Sequence, residues 1–156
     1  MTIEAFFTAM EDELRNCAPD PVSGPKHELW ARATPAEEEE FFQRFPFINL
    51  PPAHVELLRR HNGAMLDFGW IHLFAWEEVD RPEVAIGPDA NHQFPNTWLA
   101  IAEGQDDGIY AVIDTATAEY LILPRMSTLP DVTPEPLERF DSLELFLDWI
   151  YEELTT

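Results

Sequence analysis

Trp98–Asp114, WLAIAEGQDDGIYAVID, decides how the rest of the chain is read. Two apolar runs flank a turn in which Glu103, Asp106 and Asp107 stand beside Gly104 and Gly108. Runs of this length joined by a short glycine-bearing connector pair as antiparallel strands. The expected strands are Trp98–Ala102 and Ile109–Asp114, and Glu119–Leu123 follows closely enough to be a third. The acids of the turn leave three uses open: a metal loop, an acid–base pair, or a charged tip that serves a partner.

Helical spacing takes over on both sides of this strand region. Near Thr2–Asn16, the side chains Ile3, Phe6, Phe7, Met10 and Leu14 share one face. Thr34 can cap a second helix, with Pro35 at its first position and Glu37 closing a capping box. Glu37–Glu40 are thereby acids meeting the positive helix end, and Phe41, Phe42 and Phe45 supply the buried side. A third helix is expected near Pro52–His61, with Val55, Leu57 and Leu58 inward and Asn62-Gly63 as its stop. Arg59 and Arg60 sit at its negative end, which accounts for them without a ligand.

From Met65 to Trp76 the period changes to that of one or two strands. The stretches 17–27, 80–97 and 124–136 are rich in proline and read as loops. DSLELFLDWIYEEL closes the chain as a helix, capped by Asp141, with Leu143, Phe146, Leu147, Ile150 and Leu154 as its core stripe. Glu144, Asp148 and Glu152 form an unrelieved acidic file on that helix, although like charges at this spacing cost a few tenths of a kcal/mol per pair. The expected fold is one α+β domain over 1–156, with N-terminal helices, a central antiparallel sheet and a closing helix.

Charge narrows the function. Thirty acids face nine bases, a formal net charge of −21, and Lys26 is the sole lysine. Such a surface repels nucleic acid phosphates and anionic membranes and draws in basic proteins. No apolar run approaches the roughly 20 residues that span a bilayer. A lone cysteine, Cys17, and an acidic N-terminal stretch suit a cytoplasmic protein.

Signals for chemistry are weak. The chain has no phosphate-binding glycine loop and no Gly-x-Ser-x-Gly elbow. His27, His54, His61, His72 and His92 do not follow the spacing of a zinc protease, and His72 reads as a hydrogen-bonded structural imidazole. EGQDDG lacks the alternating acids and closing glutamate of a calcium loop. A wet hairpin tip also gives Asp106 and Asp107 no burial with which to raise a pKa for acid–base work.

Three blocks fall into a known order. LPPAHVELLRRHNGAM carries Leu50, Pro51, Leu58, Asn62 and Gly63; WLAIAEGQDDGIYAVID carries the acidic glycine turn; RFDSLELFLDWI carries Phe140, Ser142, Phe146 and Leu147. In this the chain resembles the SUKH superfamily, whose bacterial members are mostly immunity proteins of polymorphic toxin systems and whose eukaryotic relatives are cell-wall synthesis regulators of the Smi/Knr type. The turn departs from the family pattern, reading Asp107-Gly108 where Gly-Asp is frequent. The resemblance implies no catalysis and no cofactor, and a toxin protein, or for a regulatory scaffold a cellular client, as partner. The residues expected to meet a basic partner are Glu103, Asp106 and Asp107 of the turn and Glu144, Asp148 and Glu152 of the closing helix. Trp70 and Trp76 are candidate anchors, each also able to be plain core.

Overall fold

The structure, a computed structural model, describes residues 1–86, 94–105, 108–125 and 133–156. It is α+β, as the sequence pattern predicts. Its elements are α1 (Ile3–Asn16), β1 (Glu28–Leu29), α2 (Pro35–Arg44), α3 (Pro52–Arg60), β2 (Ala64–Leu66), β3 (Ile71–Leu73), α4 (Pro82–Ala85), β4 (Trp98–Gly104), β5 (Ile109–Asp114), β6 (Glu119–Pro124), β7 (Glu138–Phe140) and α5 (Leu143–Thr155). The strands form a single antiparallel meander in which spatial order equals sequence order, β1 to β7. One element, α4, falls inside a stretch that reads as a loop, and two strands, β1 and β7, lie just past the ends of such stretches where the sequence pattern marks no element. The two strands have only two or three residues, too few to display a period of two.

The helices seal the sheet through one continuous core. Phe7 of α1, Leu57 and Leu58 of α3 and Phe146 of α5 surround a small void together with Leu73 and Ile101 of the sheet. Tyr120 of β6 stacks on Phe146 with ring centroids 5.1 Å apart. Phe41 of α2 packs on the fully buried Trp76, 4.8 Å between centroids. Trp76 is thus core, whereas Phe42 is 37% exposed and Phe45 half-buried.

The caps follow the sequence in detail with one shift. Thr34 and Glu37 complete the capping box on α2. On α5 the cap is Ser142, whose hydroxyl accepts from the Leu145 amide at 3.3 Å, not Asp141. The serine stands where its oxygen reaches the third helical amide. Arg59 and Arg60 also do more than face a helix dipole. Arg59 binds Glu38 of α2 at 2.7 Å, and Arg60 reaches Glu11 of α1 at 3.6 Å.

Asn62 and Gly63 form the corner between α3 and β2. Asn62 is buried; its amide donates to Glu37 at 2.8 Å and its oxygen accepts the Trp76 amide at 2.7 Å. Gly63 has φ +92°, and a Cβ there would lie 2.7 Å from Trp30 Cε3 and 2.9 Å from both the Ala75 nitrogen and the Leu73 oxygen. The corner is therefore filled on every side, and it fixes how the helical layer joins the sheet.

Candidate functional site

The other end of β2 is built differently. The turn into β3 places Asp67, Phe68 and Gly69 successively in the left-handed region, at φ 50°, 56° and 88°. A phenylalanine there is uncommon and costs roughly 1–2 kcal/mol. The turn is held by groups outside it. The Phe68 amide donates to the Lys26 carbonyl at 2.7 Å, and the Asp67 amide donates to His27 Nδ1 at 3.0 Å. Because Nδ1 accepts, the neutral His27 ring carries its proton on Nε2 and donates it to Glu13 of α1 at 2.8 Å. Lys26 binds the same Glu13 oxygen at 2.8 Å. Burial acts to raise the Glu13 pKa, but the hydrogen bonds and charges of Lys26 and His27 outweigh it and hold the group below its ordinary value.

This scaffold displays two aromatic residues. Phe68 is 42% and Trp70 41% exposed. The Trp70 carbonyl accepts from the Gln105 amide at 3.0 Å, so the aromatic turn is tied to the acidic turn after β4. Beside them lies a crevice lined by Trp70, Ile71, Ile109, Trp149, Ile150 and Glu153, among others. It brings together the two regions that the sequence singles out, the β4–β5 turn and the closing helix. Its cavity volume is about 20 Å³, room for about one water molecule.

Of the residues expected to meet a partner, the structure separates some and withholds others. Asp106 and Asp107 lie outside the described residues. Glu103 is not at a tip: it belongs to β4 and stands opposite His72 and Tyr110 in the register. Its carboxylate binds Arg125 at 2.5 Å and lies 3.6 Å from His72 Nδ1. His72 Nε2 in turn lies 3.1 Å from Glu78 Oε1, which confirms it as a hydrogen-bonded ring on a strand face. Burial acts to raise the Glu78 pKa, but hydrogen bonds from His72 and the Ala75 amide, with the charge of His72, lower it overall. Glu103 is therefore engaged within the chain. Sequence reasoning missed this because Arg125 stands 22 positions away.

On α5, Glu144 and Glu152 are exposed, and Asp148 is half-buried with an oxygen 2.7 Å from the Met1 ammonium. The wider pattern is asymmetric. Arg15, Lys26, Arg44, Arg59, Arg60, Arg81, Arg125 and Arg139, eight of the nine bases, are ion-paired inside the chain. Between residues 135 and 153 stand seven acids, Glu135, Glu138, Asp141, Glu144, Asp148, Glu152 and Glu153, and one base, Arg139. Among the described residues Arg139 is paired with Glu119 at 3.9 Å and relieves none of the seven. Glu153 and Trp149 were legible only as a helix end; their meeting with Trp70 depends on the tertiary fold.

Among the described residues one histidine is strongly shifted, and it is sealed away. His54 of α3 is fully buried, burial pushes its pKa down to about 3, and its Nδ1 lies 3.4 Å from the Tyr120 hydroxyl. Among the described residues no three His, Cys, Asp or Glu side chains are grouped to hold a metal ion. No helix among them is long and apolar enough to cross a membrane. No protein-family model matches the chain, and no curated protein matches it either.

Proposed function

We propose that the chain is a non-enzymatic immunity protein of the SUKH type, which binds and neutralises a basic toxin domain, such as a nuclease, through its acidic surface. The observation that carries this reading is the distribution of charge. Eight of the nine bases are engaged in internal ion pairs, while among the described residues the acids of 135–153, apart from Asp148 beside the Met1 ammonium, take part in no such pair, and the formal charge is −21. A field of one sign accelerates encounter with a partner of the opposite sign, and exposed aromatic anchors slow its departure. Exposed Trp70 and Phe68 beside the acidic elements supply both parts.

The test is co-purification with the protein encoded by the neighbouring toxin gene at rising salt, coupled to rescue of cells that express that toxin. The expected result is a complex that weakens with salt, together with rescue. Glu144→Lys with Glu152→Lys, and separately Asp106→Lys with Asp107→Lys, should slow association while leaving Tm nearly unchanged. A salt-sensitive complex with a cellular client and no rescue would replace immunity by the Smi/Knr-type regulatory role. Absence of any basic partner overturns both.

A further inference from the structure

We propose that the crevice between the Asp67–Trp70 turn and the end of α5 receives an arginine side chain of the basic partner. The idea rests on the reading above and makes it specific: it names one anchor and the seat for it.

The seat has three properties. Its walls are apolar, formed by Ile71, Ile109 and Ile150 with the two indoles of Trp70 and Trp149. The crevice encloses only about 20 Å³, room for about one water, so an anchor lies across its mouth rather than inside it. Its rim carries Glu153, which is exposed and takes part in no ion pair among the described residues. The neighbouring Glu103 carboxylate is already satisfied by Arg125. Glu153 is thus the rim acid open to an incoming cation, and α5 offers no base of its own to fill that place.

A slim chain with an apolar stem and a charged head matches this arrangement. The stem lies across the half-buried Ile109 and Trp149 at the mouth, as long basic side chains do on apolar surface. A guanidinium is preferred to an ammonium because its planar cation stacks on indole and meets a carboxylate with two parallel hydrogen bonds. Trp70 is well suited to receive it: main-chain bonds on both sides, to Asp67 and Gln105, fix the backbone that carries the indole. Little ordering is then left to be done at the moment of binding.

The experiment is a titration of the full chain with N-acetyl-arginine amide, followed at the indole N–H signals of its five tryptophans. Signals are assigned with Trp70→Phe and Trp149→Phe. The Trp70 and Trp149 signals should move together and saturate, while those of Trp30, Trp76 and Trp98 stay put. N-acetyl-lysine amide should bind roughly fivefold more weakly, and the neutral citrulline analogue should leave the signals unmoved. Glu153→Gln should weaken arginine binding by roughly fivefold to tenfold, and Glu144→Gln, on the same helix but outside the crevice, should not. Equal shifts with citrulline, or equal losses in the two glutamine variants, overturn the proposal. A toxin complex that survives intact in Trp70→Ala and Glu153→Gln also overturns it and leaves the immunity reading standing. Arginine binding at the crevice without any basic protein partner removes the immunity reading alone.

Discussion

The strand β2 ends in two corners made from similar residues, and they serve opposite purposes. At its start, Asn62-Gly63 is buried, every polar atom of the Asn62 amide has a partner, and no room exists for a Cβ on the glycine. At its end, Asp67-Phe68-Gly69-Trp70 is exposed, and a Cβ on Gly69 would meet nothing nearer than Met65 Cε at 3.5 Å. The first corner spends its unusual backbone on packing. The second uses one to hold two aromatic rings in solvent, against their preference for burial. Asx, glycine and aromatic residues in a turn therefore do not reveal a role by themselves; what distinguishes the corners is whether the surroundings close over them.

The sharpest way to break the contrast is to add one carbon at each corner. Gly63→Ala should cost about 3 kcal/mol or more, from the positive φ and the contacts below 3.0 Å. That corresponds to a fall in Tm of roughly 6–12 °C. Next in size is Asn62→Leu, which keeps the volume but leaves the buried Trp76 amide without an acceptor. A loss of about 1–3 kcal/mol is expected in chemical denaturation, with the m-value unchanged.

Acid sharpens the comparison further, because α3 leads into the closed corner and carries His54. The unfolded chain protonates this ring below its ordinary value of 6.5, whereas the folded ring resists until about 3. Stability should therefore fall as pH drops from 6.5 towards 3, by at most about 1.4 kcal/mol per pH unit. His54→Gln should flatten that limb in urea melts taken between pH 7 and 4, with little change above neutrality. The smallest effect belongs to the open corner. Phe68→Asn should leave stability unchanged or raise it by about 0.5–1 kcal/mol, because asparagine tolerates the left-handed region. The same change should weaken the partner complex. A clear fall in Tm would mean that Phe68 supports the fold, and the contrast between the corners would collapse.

Much of this architecture was legible in the residues. Helical periodicity marks α1, α2, α3 and α5, the two apolar runs of WLAIAEGQDDGIYAVID mark β4 and β5, and Thr34 with Glu37 announces the capping box. The α3 stripe of Val55, Leu57 and Leu58 does face the core, with Val55 partly buried, and the position the spacing does not announce is the buried His54. Aromatic contact with Tyr120, at 6.0 Å between ring centroids, draws the histidine inward. The candidate site was less legible. Glu103 looks free in sequence because neither the register with His72 nor the reach of Arg125 can be seen along the chain. The crevice was invisible for the same reason: Trp70 and Glu153 are brought together only by closure of α5 over the sheet.

The meander has a consequence for how the chain is made. Each strand's partner is the strand just before it, and the pairs β2–β3, β4–β5 and β5–β6 close short loops, so their pairing can advance as residues leave the ribosome. The packing of α1 is completed by α5, which follows every strand in the chain and meets α1 across the core. Folding thus ends with a latch, and the crevice beside Trp70 exists only once that latch has closed.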